Sequence, residues 1–451
     1  MKITGRILTI AIFIALNDYI NAQDNTTADF KPSGNLWGQI FGDWANKFQN
    51  DTLSRGGGNV QYRGTSALNS SNTVANTPVP ANVQTNGFQM RRIYLGYDYK
   101  FAPNFAAQVV LANEQNVDGG GKNTMYVKYA NVKCLNIFKL KNTDLVLGQY
   151  LPCAFATLFG TEPSWAYRSV ERTIIDMHNI DGGTDLGASL QGKAWSQKVA
   201  DSLKPTFIGY YLQVGNNNAA VPNASNFKKG RVNVYVAALQ QKLTIGLYGD
   251  YLVQQLSPYK TSNMTMKAYA SYTMDWFRIG FEFFQQTNKN SDISIAYANG
   301  KVAAGAKNDT TSGTQMGWSV FASGRIIKNK LNIFARYDMY NPDTKYNTSN
   351  VYSKAYFAVQ NSGSAGALNP TTTFYNQSFI NAGLDWTPTA RFHIMPNIWV
   401  NNYKTMMSTT LPGGTTEFSS RVQNDKDVVY RITFCFFFNA NKKVSGNGMN
   451  N

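Results

Sequence analysis

Residues 277–284 read FRIGFEFF, with Asp275–Trp276 before them and Gln285–Gln286–Thr287 after. Phe277, Ile279, Phe281 and Phe283 fall on one parity, and Arg278, Gly280, Glu282 and Phe284 on the other. Period-two alternation marks a β-strand. A soluble sandwich would turn the phenylalanines inward and the charges outward, and a membrane barrel would do the reverse. The stretch alone does not choose between them; the rhythm of the chain around it does.

Sixteen segments carry strand patterning: 34–41, 88–101, 105–114, 125–134, 144–150, 185–195, 205–214, 231–239, 243–254, 265–275, 277–286, 315–326, 331–340, 374–386, 391–403 and 428–438. Connections of a few residues, such as 102–104, Trp276, 327–330 and 387–390, alternate with long polar ones: 42–87, 151–184, 215–230, 287–314, 341–373 and 404–427. An up-and-down outer-membrane barrel has that alternation, with periplasmic turns on one rim and extracellular loops on the other. The expected fold is therefore all-β, a 16-stranded antiparallel transmembrane β-barrel over residues 23–438 with short periplasmic turns and long extracellular loops. Tyr97, Tyr99, Phe101, Tyr337, Tyr340 and Tyr403 near strand ends read as interfacial girdles. On this reading Phe277, Ile279, Phe281 and Phe283 face lipid, and Arg278 and Glu282 face water inside.

Both ends of the chain fit export to the outer membrane of a Gram-negative bacterium. Lys2 and Arg6 precede the short apolar run Ile7–Leu16, and the small residue Ala22 precedes Gln23, so residues 1–22 read as a cleaved signal peptide. The run is too short to span a bilayer as a helix. The closing stretch VVYRITFCFFF (428–438) reads as a terminal aromatic strand, and residues 439–451 as a polar tail.

The chain carries 42 basic and 26 acidic residues, a formal net charge of +16. Such a balance often points to nucleic acid, but an exported chain rarely meets it and the basic residues are dispersed. Outer-membrane lipids and small hydrophilic, anionic solutes are the better partners. The three cysteines, Cys134, Cys153 and Cys435, are an odd number and argue against a disulfide framework.

Three segments within 88–192 resemble the phosphate-selective porin O/P family. They are MRRIYLGYDYKF (90–101); LGQYLPCAF (147–155), matching at Gly148, Gln149, Pro152 and Phe155; and VERTIIDMH (170–178) with DLGASLQG (185–192), matching at Glu171, Arg172, Gly187 and Gly192. The resemblance implies a sixteen-stranded, trimeric outer-membrane porin. The chain departs from a phosphate trap in its loop 151–184, which sets only Arg168 and Arg172 against Glu162, Glu171, Asp176 and Asp181.

Enzymatic chemistry finds little to work with. The two histidines, His178 and His393, have no G-x-S-x-G turn to serve, and no Cys/His metal cluster or cofactor motif is present. Neither enzyme nor cofactor is expected. NVDGGGKN (116–123) and NPDTKYN (341–347) read as surface loops rather than calcium loops. The lumen remains. Strand parity gives Arg92, Lys128, Lys193, Arg231, Arg278, Glu282, Arg325 and Arg336 as pore-lining candidates, with Lys100, Lys267, Arg391, Arg431, Asp98, Glu114, Asp250, Asp275, Asp338 and Asp385 beside them. The loop 151–184 is expected to fold inward as a constriction, with Glu162, Arg168, Glu171 and Arg172 at it. A modest basic excess lowers the barrier for anions. The expected function is a porin passing small hydrophilic solutes passively, with a mild anion preference extending to phosphate. The alternatives are a ligand-binding or adhesive barrel with a plugged lumen, and a sugar-selective channel using inward Tyr94, Tyr126, Tyr248, Tyr269 and Trp399.

Overall fold

The computed structural model describes residues 30–49, 85–114, 124–137, 140, 142–158, 167–200, 203–217, 227–256, 259–289, 312–344, 376–410 and 416–439. The signal segment 1–22, the stretch 116–123, Glu162 and the tail after Asn439 lie outside them. Sixteen strands follow one another: β1 (Ser33–Gln49), β2 (Thr85–Ala102), β3 (Phe105–Asn113), β4 (Tyr126–Cys134), β5 (Thr143–Tyr150), β6 (Asp185–Ser196), β7 (Phe207–Gly215), β8 (Lys229–Ala238), β9 (Leu243–Leu256), β10 (Tyr259–Thr273), β11 (Phe277–Lys289), β12 (Ser312–Ile327), β13 (Leu331–Asn341), β14 (Asn376–Thr389), β15 (Phe392–Thr410) and β16 (Thr416–Asn439). Each pairs antiparallel with its sequence neighbours, and β1 closes on β16, so the sheet has no edge to protect.

The faces answer the question that FRIGFEFF raises. Ile279 and Phe281 are each 42% exposed, whereas Glu282 and Phe284 on the other parity are 2% and 0%. The same division runs round the barrel, with Leu212, Val232, Val234, Leu247, Met266, Ile333, Ile380 and Ile432 outward. An apolar belt of that extent has lipid as its solvent. At the short-turn rim Tyr97, Tyr99, Phe101 and Phe105 stack in a row with ring centroids 5.9–6.3 Å apart, a girdle at the membrane interface. Tyr340 and Tyr403 do not belong to it. Each lies one residue off the outward set and is buried on the inner wall, where the Tyr403 hydroxyl donates to Asp427 at 3.2 Å.

Three boundaries differ from the sequence reading. β1 continues past Phe41 to Gln49: Gly42 resembles a turn signal, yet it makes room for the Phe434 ring, which an added Cβ would meet at 2.2 Å. β9 and β10 extend until only 257–258 separate them, so one connection on the long-loop rim is short. Most of 404–427 is paired strand rather than loop, with register running out to Thr410↔Thr416. This outer part of the hairpin keeps its ladder, although its sequence carries no period-two apolar pattern.

Two bulges matter for the interior. Phe41 pairs with Arg92 and Gly42 with Met90, leaving Arg91 as an extra residue in β2. Val110 pairs with Tyr129 and Leu111 with Val127, leaving Lys128 extra in β4. At each site two consecutive side chains turn inward, Arg91 with Arg92 and Lys128 with Tyr129, and all four are buried.

Candidate functional site

The segment between β5 and β6 crosses the interior. Its start is held by the wall on three strands: the Cys153 amide donates to Gln213 Oε1 at 2.7 Å, and the Cys153 and Ala154 carbonyls accept from Asn233 Nδ2 at 2.9 Å and Lys267 Nζ at 3.0 Å. The approach to it is shaped by Gly148 of β5, at φ +117°, where a Cβ would lie 2.4 Å from the Ala130 carbonyl oxygen. After 159–166 the chain reaches the far wall, where Tyr167 stacks on Phe334 with ring centroids 4.3 Å apart. The Tyr167 phenol is pushed up by burial and by Asp385, which accepts its hydrogen bond.

The next residues are tied down by arginines. Arg91 Nη1 donates to the Ser169 and Val170 carbonyls, and Arg92 Nη1 to that of Arg168 at 3.3 Å. Glu171 lies 3.5 Å from Arg91 and 3.8 Å from Arg431. Burial alone would raise its pKa, but Arg91, Arg431 and Arg172 outweigh burial and hold the carboxyl at about 2. Arg168 reaches the Tyr94 hydroxyl at 3.1 Å and lies 3.9 Å from Glu114 and 3.8 Å from Asp176. Glu114 also accepts from both Tyr94 and Tyr126 and from Lys128 Nζ at 2.6 Å. Burial opposes its ionisation, yet Lys128, Arg92 and Arg168 hold it well below the usual carboxylate range.

A single helical turn, α1 (Ile174–Met177), follows and buries Ile174 and Ile175. Beyond it His178 lies face-on against Tyr340, centroids 3.5 Å apart. Burial, with Arg172 and Arg336 adding, pushes its imidazole down to about 3. Arg336 bonds the Arg172 carbonyl as well as Asp338, and Gln286 donates to the Ile180 carbonyl at 3.1 Å. Asp181 accepts two bonds from Arg231 at 2.8 and 2.9 Å and one from Tyr248 at 3.0 Å. The Gly183 carbonyl then accepts from Tyr129 at 3.1 Å before β6 begins.

The structure thus gathers Arg92, Lys128, Arg231, Arg336, Arg168, Glu171 and Arg172 round this segment. Glu282 lies beside it, paired with Lys267 at 3.1 Å. Lys193 and Arg325 stand apart at the short-turn end, whereas Arg278, at the same end, lies close enough to Tyr167 of the segment for the two to interact electrostatically. Lys193 is exposed over the Phe207 ring at 4.4 Å, Arg278 is half-buried two residues past the 274–276 turn, and Arg325 donates to the Asp275 carbonyl of that turn. Arg391 and Asp275 are exposed turn residues, not wall residues. Strict parity missed Arg91 and Tyr129, because only a bulge turns two neighbours the same way. It also passed over Lys47–Asp427 (2.6 Å) and the Lys229 and Asp185 partners of the Asp181 cluster, all of which lie where strands run into expected loops. His393 bonds Asp385 at 2.8 Å. Among the described residues no group of His, Cys, Asp and Glu is arranged to hold a metal ion.

A closed sixteen-stranded barrel with a lipid-facing belt and a charged interior is an outer-membrane protein architecture. No family model and no curated protein matches the chain. Solved structures do match its fold at low identity. They include an anion-selective porin from Comamonas acidovorans (11% identity, TM-score 0.52, covering 90% of this chain and 100% of that one). The outer membrane channel DcaP of Acinetobacter baumannii (12%, TM-score 0.50, 91% and 100%) and OprB of Pseudomonas putida (9%, TM-score 0.50, 90% and 94%) are similar too. The fold shared with these structures is sixteen-stranded here, and the narrower phosphate-selective O/P resemblance has no family match behind it.

Proposed function

We propose that the protein is a diffusion channel for small hydrophilic solutes, with the segment 151–184 as its constriction and a mild preference for anions. The observation that carries this is a hydrophilic, charged interior sealed from lipid by a closed sheet, with one long connection folded into it. Sixteen strands enclose enough space for an aqueous path beside such a loop. Most wall charges are paired, as Lys267 is with Glu282 and Arg336 with Asp338, so they keep the wall wet without favouring either sign. Round residues 168–176 the balance is basic: Arg91, Arg92, Lys128, Arg168, Arg172 and Arg431 face Asp43, Glu114, Glu171 and Asp176. That remainder favours anions in a narrow passage, phosphate among them.

Purified protein in a planar bilayer tests the reading directly. Stable stepwise openings are expected, with a reversal potential displaced toward the anion in a salt gradient. A second reading, a barrel stoppered by the same loop until a ligand moves it, draws on the burial of Arg231 and Arg336 at 2% exposure. Silence from the intact protein, with openings only after deletion of 162–181, would decide for it. Cleavage of the signal segment belongs to the proposal and requires a mature chain starting at Gln23. The homotrimer implied by the family resemblance requires a trimeric species on cross-linking in mild detergent.

A further inference from the structure

The two rims of the barrel differ sharply in charge. Leaving out 151–184, which folds into the interior, the long-loop connections 50–84, 114–125, 216–228, 257–258, 290–311, 342–375 and 411–415 hold eight basic and six acidic residues, nearly balanced. The short connections 103–104, 135–142, 197–206, 239–242, 274–276, 328–330 and 390–391 hold eight basic residues and two acidic ones in about a quarter of the length. Six of the eight are described: Lys198, Lys204, Lys242, Lys328, Lys330 and Arg391. All six are exposed, and none enters an ion pair among the described residues.

Their placement points to what they meet. They belong to four different turns, β6–β7, β8–β9, β12–β13 and β14–β15, which are spread round the circumference rather than gathered on one side. Just toward the membrane from them lie exposed aromatic residues of the same rim: Trp195 near the end of β6, Trp276 in the β10–β11 turn and Trp386 near the end of β14. Tryptophan settles at headgroup depth, so the basic ends stand level with or just beyond the headgroups. A single docked protein would call for one patch. A ring of cations at headgroup depth fits the ring of lipids that surrounds a barrel.

We propose that the short-turn rim is a binding collar for anionic phospholipid headgroups of the periplasmic leaflet, with Lys198, Lys204, Lys242, Lys328, Lys330 and Arg391 contacting their phosphates. The collar rests on the orientation of the barrel and not on the channel reading. It sets the depth of the barrel and selects the lipids at its foot.

The test uses the full-length folded protein in nanodiscs of equal phosphatidylglycerol and phosphatidylcholine, released for native mass spectrometry of the retained lipids. Wild type is expected to retain about five-fold more phosphatidylglycerol at low salt, since one basic residue near a charged headgroup is worth about 1 kcal/mol. The preference should fall toward parity in about 0.5 M salt, where the screening length is only a few ångströms. Replacing all six residues by glutamine should abolish it while heat-modifiable migration on gels is kept. Equal preference in the variant, or none in wild type, overturns the collar. If the variant fails to assemble, wild type decides alone, and a preference untouched by salt overturns it. Retention of polyglutamate by wild type without any lipid preference would assign the rim to an acidic polymer instead.

Discussion

Tyr167 lies against Phe334 with ring centroids 4.3 Å apart and planes inclined by 26°, and the two residues come from opposite sides of the barrel. The segment bearing Tyr167 leaves β5, and Phe334 belongs to β13, eight strands away in either direction round the sheet. One aromatic contact therefore spans the lumen. A loop that merely capped the rim would not reach it.

Truncating either ring should release that bridge. Such a pair is worth about 1 kcal/mol beyond its buried area. Tyr167→Ala and Phe334→Ala are each expected to raise single-channel conductance or shorten closed times, and the double variant should add little to either. Additive effects would mean the rings act separately, and unchanged conductance would place the narrowing elsewhere.

Glu171 is the electrostatic counterpart of that anchor. It answers Arg91 from the β2 bulge and Arg431 from β16, so Glu171→Gln leaves two buried guanidinium groups short of an anion, a loss of about 3–5 kcal/mol when one partner of a buried pair is removed. The loop is expected to undock while the sheet persists. Trypsin should then cut at Arg168 or Arg172 in the folded variant and spare them in wild type. The carboxyl is held at about 2, below its ordinary value. Its contribution is thus complete above about pH 4.3 and is lost as pH falls toward 2.

His178 works in a higher window and with the opposite chemistry. Its docked form is neutral, with a pKa pushed down to about 3 against Tyr340 by burial and by Arg172 and Arg336, while a solvent-exposed histidine takes up its proton near 6.5. Between those values the undocked loop binds the extra proton, so docking is complete above pH 6.5 and weakens as pH falls toward 3. Conductance of wild type should accordingly rise on acidification from pH 7 to 4. His178→Phe keeps the stack but not the titration, and should flatten that rise. A rise of equal size in the variant would remove His178 from the account.

The outward face was legible because lipid demands it residue by residue: Val232, Val234 and Val236 alternate with buried Arg231 and Asn233 as cleanly in the structure as in the sequence. The inner face was legible only where the strands stay regular. At Arg91 and Lys128 a single extra residue shifts the phase, and those two bulges supply side chains, Arg91, Arg92 and Tyr129, that grip residues 168–183. Nothing in a period-two pattern announces them. Loop partners were illegible for another reason. Tyr167 and Phe334 are 167 positions apart, and their meeting is a property of the closed ring. The outer hairpin of β15 and β16 escaped because its sequence carries no period-two apolar pattern.

Arg278 is half-buried on the inner wall two residues beyond the 274–276 turn, and Glu282 higher up is paired with Lys267 rather than with Arg278. Arg278→Glu replaces a positive charge near the periplasmic mouth and close to Tyr167, and should move the reversal potential in a salt gradient toward cations while the barrel still assembles. Phe281 is 42% exposed on the outer face near the middle of β11. Phe281→Arg puts a charge into hydrocarbon and should cost about 2–4 kcal/mol of barrel stability, read from urea unfolding in vesicles, with selectivity unchanged in whatever fraction folds. An exchange of the two phenotypes would invert the facing of β11 and, through its register with β10 and β12, of the strands on either side.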